Sequence, residues 1–218
     1  GRSWLPNKKV RWVMENFIIT IGRQYGSGGK EIGLAIADRL GIKCYDRTLI
    51  ELAASKAGVS EESVKSLDEM GKGSLFVPLA NAYYGNVLTG NFEFTLSDKL
   101  YVVQSEIIKN IAINESAVIV GRCANVILES FKNVLRLFIH APIEERIKKV
   151  MARESVDAKK AEQMINKIDR KRKSYYSYYT DREWADMNDY DLIVSATLGV
   201  EAIVELVCSV LRAKKLIR

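Results

Sequence analysis

An apolar stretch, Phe17-Ile18-Ile19-Thr20-Ile21, leads into a glycine-dense turn with one lysine and then into apolar residues at helical spacing as far as Gly41. That order predicts a strand buried on both faces, a tight turn and an amphipathic helix. Residues 42–46 read as a short second strand, and 47–57 as a helix stopped by Gly58. Ser60-Glu61-Glu62-Ser63 has the cap and the first-turn acids that open a further helix. From 71 to 90 the pattern is irregular, with four glycines and Pro78, and reads equally as a substrate flap or a plain surface excursion. Helical spacing returns over 98–113, and 117–120 is a buried-strand run that ends in Gly121-Arg122. A strand at 134–140, a helix from Pro142 to about 154, a long charged helix at 158–179, a strand at 192–195 and a closing helix at 200–214 complete the reading. Strands alternating with helices predict a three-layer α/β/α fold, a five-stranded parallel sheet covered on both faces. Ligands of such sheets sit at the C-terminal ends of the strands, a rim that here gathers residues 22–30, Asp46, Arg122 and 195–197.

Composition narrows this further. With 218 residues and 48% hydrophobic content, residues 16–218 suit one domain with a substantial core, and 1–15 read as a leader or expression remnant, with Met14 a candidate start. No apolar run approaches membrane-spanning length, and the opening residues have no apolar h-region of a secretory signal. Three widely spaced cysteines, Cys44, Cys123 and Cys208, form no C-x-x-C pair, which speaks against zinc and disulfides and for a reducing cytoplasm. A net charge of +6 suits a nucleic acid or a phosphate cleft. The basic residues concentrate at 146–153 and 167–173 within helix-forming sequence, rather than along a face interleaved with aromatics, and favour the cleft.

The glycine turn has the chemistry for it. A phosphate chain needs several backbone N–H groups aimed at it, and Gly26, Gly28 and Gly29 let the main chain curl that closely. The helix that starts near Gly29 or Lys30 adds the positive end of its dipole, and the Lys30 ammonium can reach terminal phosphates. The match to G-x-x-x-x-G-K-[ST] is imperfect: Gln24 stands six before the lysine, and Glu31 stands where a hydroxyl normally helps hold magnesium. The metal then relies on Ser27, water or a carboxylate elsewhere. The bland alternative is an ordinary strand-to-helix turn with a solvated lysine.

Ile-Thr-Ile-Gly-Arg-Gln-Tyr-Gly-Ser-Gly-Gly-Lys-Glu-Ile-Gly, Tyr45-Asp46-Arg47, Val118-Ile119-Val120-Gly121-Arg122 and the tyrosine-rich stretch 175–184 together resemble the cytidylate-kinase-like family of P-loop proteins, over nearly all of 17–211. The resemblance implies a nucleoside monophosphate kinase type of fold, with an acceptor flap at about 58–97 and a helical lid at about 153–185. It implies transfer of the ATP γ-phosphoryl group to a nucleoside monophosphate, CMP or dCMP foremost, with ATP and Mg2+ as cofactors. By that likeness Gly26, Ser27, Gly28, Gly29, Lys30, Glu31 and Ile32 cradle the donor. Arg122 matches the arginine of the Gly-Arg-Asp motif that holds the acceptor phosphate, with Cys123 in place of its aspartate. Asp46 and Arg47 fall where acceptor binding begins. Arg146 and Arg153 flank the lid entry, and Arg170 and Arg172 resemble lid arginines. The lid departs from the family's alternation of Asp and Arg, so the cytosine assignment is the weakest part.

The physical logic stands without the family. Phosphoryl transfer asks a protein to position two anions in line and to surround the moving group with positive charge. Arginine forks do this at any working pH, and a lid that brings Arg170 or Arg172 inward would act as an arginine finger. Lys30, Arg122, Arg170 and Arg172 are therefore the candidate catalytic residues. His140, the only histidine, lies at a strand end and reads as an edge residue, not a catalyst. Bland readings stand beside the rest: Arg122 capping a strand end, Arg170 and Arg172 on a solvated helix face, Asp46 capping a helix, Asp191 in a turn. Tyr175, Tyr176, Tyr178 and Tyr179 read as lid packing ahead of base stacking. A regulatory nucleotide-binding module and a nucleic-acid-binding protein are the two alternatives from other classes. Small-molecule nucleotides are the expected partners, no membrane is expected, and a homo-oligomer stays open.

Overall fold

The computed structural model describes residues 16–46, 48–58 and 95–217. The start expected at 1–15, the helix expected after Ser60, the irregular stretch 71–90 and Arg47 lie outside these residues. Five strands, β1 (Ile18–Arg23), β2 (Lys43–Tyr45), β3 (Ala117–Val120), β4 (Val134–His140) and β5 (Leu192–Ser195), pair in the order β2-β3-β1-β4-β5, all parallel. Among the described residues the α-helices are α1 (Gly29–Leu40), α2 (Thr48–Ala57), α3 (Leu96–Asn114), α4 (Ala124–Ile127), α5 (Ile143–Glu154), α6 (Ala158–Thr180) and α7 (Val200–Ala213).

Strand periodicity sorts the core into two layers. On one face Ile19, Ile21, Val118, Val120, Leu135 and Leu137 meet Ile32 and Ile36 of α1 and Ile203, Val204 and Val207 of α7. On the other, Ile18, Ala117, Ile119 and Val134 meet Ile107, Ile108 and Ile111 of α3, Leu49 of α2, and Ala124 of α4. Central strands buried on both faces cannot alternate in polarity, which is why β1 and β3 read as continuous apolar runs. A third, small cluster of Val150, Ala161 and Ile165 joins α5 to α6, with the Tyr25 side chain packed against it.

Each helix end has a local cause. Gly41 closes α1 in the left-handed region, φ +63°, with its N–H on the Asp38 carbonyl. Thr95 and Asp98 form a reciprocal capping box at the start of α3. Asp157 caps α6 through the Lys160 N–H at 2.7 Å. The four-residue α4, not foreseen from the sequence, is held by a side chain of the sheet: Arg136 donates to the carbonyls of Asn125, Leu128 and Glu129 at 3.1–3.3 Å. Asp191 accepts the Arg136 N–H at 2.7 Å, so it pairs with the strand neighbour as well as turning the chain into β5. No described helix is long and apolar enough to cross a membrane.

Ile36 and Leu34 on α1 test this layering, since the first is fully buried and the second about half exposed. Ile36→Ala is expected to cost about 2–5 kcal/mol, and Leu34→Ala about 0.5 kcal/mol or less, read as the shift in urea midpoint.

Candidate active site

Where β1 ends, the loop is fixed at both sides. The Gln24 N–H donates to the Ile139 carbonyl at 3.0 Å, and the Gln24 side-chain oxygen accepts the Ala141 N–H at 3.1 Å. Gln24, which stands where the strict motif has glycine, thus ties the loop to the end of β4. The Ser27 N–H and Oγ both return to the Gln24 carbonyl, at 3.3 and 2.8 Å. Ser27 is fully buried, and its hydroxyl closes the turn by donating to that carbonyl. Gly26 and Gly28 take φ of +78° and +86°, which a side chain would strain, and a Cβ on Gly26 would stand 3.0 Å from both the Arg146 carbonyl and Val150.

Gly28 is the N-cap of α1 and provides no side-chain hydrogen bond to it. The first-turn N–H groups of an α-helix have no intrahelical acceptor, so an anion there meets several donors and the positive end of the dipole. The turn ends at Ile32, whose N–H already bonds the Gly28 carbonyl at 3.0 Å and whose side chain is core. Lys30 Nζ lies 2.7 Å from Asp46 Oδ2, so the end of β2 and the start of α1 bring together two residues read separately in the sequence. Glu31 is exposed in the first turn. Lys149 of α5 also reaches this point: its Nζ stands 2.9 Å from where a Gly28 Cβ would be. Sequence reading passed over Lys149 individually, although it lies inside the basic stretch 146–153.

Helix α6 is joined to the loop by charge. Asp169 of α6 accepts the Tyr25 N–H at 2.7 Å and Arg146 Nη1 at 2.5 Å, while Arg146 also donates to the Tyr25 carbonyl at 3.3 Å. Arg172 donates to the Arg23 carbonyl at 2.9 Å, and burial pulls its pKa down against the nearby Asp169. The Tyr25 ring lies under two guanidinium groups, Arg153 at 4.8 Å and Arg172 at 5.6 Å, and its hydroxyl donates to Glu154 at 3.1 Å. Arg172 is therefore brought to the loop, whereas Arg170 is exposed on the adjoining side of α6. Asp169 was not singled out by sequence reading, because a carboxylate in a charged helix carries no local mark of what it will face.

Arg122 follows β3 in the left-handed region, φ +61°, with its carbonyl accepting from Gln104 Nε2 at 3.5 Å. The α6 tyrosines pack. Tyr179 stacks on Tyr101 of α3 at 4.1 Å, Tyr175 contacts both rings, and the Tyr179 hydroxyl donates to Asp98 at 3.1 Å. Tyr176 is buried, donates to Asp189 at 2.7 Å and accepts from Asn125 at 2.8 Å. His140 lies at the end of β4, in register with Ser195. Among the described residues no three His, Cys, Asp or Glu side chains cluster as a metal site.

A sequence model of the cytidylate kinase-like family matches residues 18–197. An uncharacterized protein from Eubacterium ventriosum ATCC 27560 is similar in structure, with a TM-score of 0.67 at 27% identity, over 90% of this chain and 99% of that one. Shikimate kinase from Bacteroides thetaiotaomicron gives a TM-score of 0.53 at 11% identity, over 90% of this chain and 98% of that one. Shikimate kinase from Acinetobacter baumannii in complex with shikimate gives 0.51 at 12% identity, over 94% and 97%. At such identities the two shikimate kinases speak to the fold alone. No curated protein matches the chain significantly.

Asp169→Ala leaves the Arg146 guanidinium, about one-tenth exposed, without its carboxylate. A loss of about 3–5 kcal/mol in unfolding free energy is expected by urea titration. The thiols give a pH signature. Burial first, then the Asp46 charge, pushes Cys44 up to about 11, with Lys30 opposing; burial pushes Cys123 up to about 12, with Arg122 opposing. Folding thus favours the neutral thiols, so their contribution is full below the ordinary value of 9.0 and is lost as pH rises through the folded values. The urea midpoint should fall from pH 9 to pH 11, and fall less steeply in Cys44→Ala.

Proposed function

The chain belongs to the cytidylate kinase-like family, and from that premise we propose that it transfers the γ-phosphoryl group of ATP to a nucleoside monophosphate, CMP or dCMP foremost. The observation that carries the reading is the glycine-led start of α1, without a side-chain cap and with Lys30 and Lys149 beside it. Those are the donors a triphosphate tail needs.

In this mechanism the first-turn N–H groups from Gly29 to Glu31 hold the donor phosphates, and Lys30 leaves Asp46 for them as they arrive. Arg122 binds the acceptor at the end of β3. Arg172 adds positive charge from the lid, and with Tyr25 and Asp169 keeps α6 over the loop so that water is excluded. No strong general base is required, because the transition state is loose and the protein acts mainly by position and charge. Magnesium suits the residues present: Asp46, a carboxylate at the loop lysine, and Glu31 on the first turn of α1 would be the residues to hold it, as hard oxygen ligands. When bound, the ion would supply positive charge to offset that of the phosphates. Residues 16–218 act as one kinase-like domain with a lid, small-molecule nucleotides are its partners, and the reducing cytoplasm is its compartment.

A second reading, nucleotide binding without turnover, is favoured by Glu31 in place of the usual hydroxyl and Cys123 in place of the motif aspartate. ADP release separates the two. A screen of nucleoside monophosphates and of small hydroxyl and phosphate compounds is expected to give turnover with CMP or dCMP, and Lys30→Met to abolish it. Binding of an ATP analogue with silence across the whole screen supports the second reading. Full activity in Lys30→Met overturns the donor site.

A further inference from the structure

Arg23, the last residue of β1, crosses the point at which this fold accommodates ligands. β1 and β3 are neighbours, yet they leave the sheet in opposite directions: β1 through α1, on one face, to β2, and β3 through α4, on the other, to β4. Parallel sheets bind ligands in the crevice that opens at such a reversal, outside the carboxyl ends of the strands. The Arg23 side chain bridges that crevice. Its Cβ and Cγ lie 2.6 and 2.9 Å from where a Gly29 Cβ would stand, and its Nη1 occupies the place of a Cβ on Gly121. Two glycines, at the end of β3 and at the start of α1, thus make way for one arginine.

The β3 end has further marks of a ligand site. Gly121, Arg122 and Cys123 are three consecutive left-handed residues, at φ +82°, +61° and +55°. For the two non-glycine residues that conformation costs about 1–2 kcal/mol each. The turn is held by the Ala124 N–H on the Gly121 carbonyl at 3.2 Å and by Gln104 on the Arg122 carbonyl. Such strain concentrates where a side chain must be presented to a ligand. Arg23 and Arg122 therefore stand on the ends of adjacent strands, and each fork can take two oxygens of one phosphate.

We propose that Arg23 works with Arg122 as the clamp for the phosphate of the phosphoryl acceptor. The proposal rests on the reading of the chain as an ATP-dependent phosphotransferase of nucleoside monophosphates, and deepens it by naming a second side chain that holds the acceptor's anion. Arg23 is a binding residue here. It approaches the acceptor's own phosphate, whereas Lys30 approaches the donor's.

The test separates the two anion sites. The full chain is saturated with a non-hydrolysable ATP analogue and magnesium, and inorganic phosphate is then titrated calorimetrically into wild type, Arg23→Gln and Arg23→Lys. The expected result is a second phosphate site in wild type, weakened about tenfold or more in Arg23→Gln, the loss of a charge-assisted hydrogen bond, and partly retained in Arg23→Lys. Equal phosphate affinity in wild type and Arg23→Gln overturns the proposal, as does the absence of a second site in wild type. Phenylglyoxal labelling of wild type, read by peptide mass, decides the matter without any variant: phosphate protecting Arg23 supports the clamp, and unchanged labelling of Arg23 overturns it. CMP and cytidine in place of phosphate identify the source. CMP that binds more tightly than phosphate and depends on Arg23, while cytidine does not, supports a nucleotide's phosphate. CMP binding that ignores Arg23 overturns the clamp. Failure of the ATP analogue to bind at all brings down the donor-loop reading itself, a different outcome from the failure of Arg23.

Discussion

The N–H groups at the start of α1, to which no cap side chain bonds, are the constraint around which the rest is arranged. A helix always begins with such donors, and most proteins satisfy them with a side chain from the cap. Here the cap is Gly28, which has no side chain to offer, and the preceding turn is closed internally by Ser27 on Gln24. The loop can hold that shape only because its outer parts are tied elsewhere: to β4 through Gln24, to α5 through Arg146 and to α6 through Asp169. These ties order the loop before anything binds, so no affinity would be spent on ordering it.

Those ties also explain the charge of the chain. Arg146, Arg153 and Arg172 come from two helices and converge on Tyr25, with Asp169 as the carboxylate at the centre. Each of the three holds a backbone carbonyl or the aromatic ring of this loop, so basic residues from two separate stretches of sequence are gathered at one place.

The tyrosines of α6 show a different economy. Tyr175, Tyr176 and Tyr179 are committed to α3 and to the residues before β5, so α6 is anchored along its C-terminal half as well as at the loop. Burial holds the hydroxyls of Tyr175, Tyr176 and Tyr179 protonated, their pKa values pushed up, so each remains a donor throughout the working range of pH.

Local pattern was sufficient for much of this chain. The five strands, the helices from α1 to α7 apart from α4, the glycine turn and its lysine were all legible, because a strand buried on both faces, a helix stop at glycine and a phosphate-type turn are each written within a dozen residues. Arg122 was legible as the residue after a buried run. What the sequence could not contain is which distant residues meet: Lys30 with Asp46, Lys149 over Gly28, Asp169 on the Tyr25 N–H, Arg23 across Gly121. Strand order decides these meetings, and it is set by how two hydrophobic faces are jointly covered, a property of the whole packing. Residue 169 looks like any acid on a charged helix, and only the closure of α6 over the loop makes it the acceptor for a backbone donor 144 positions away.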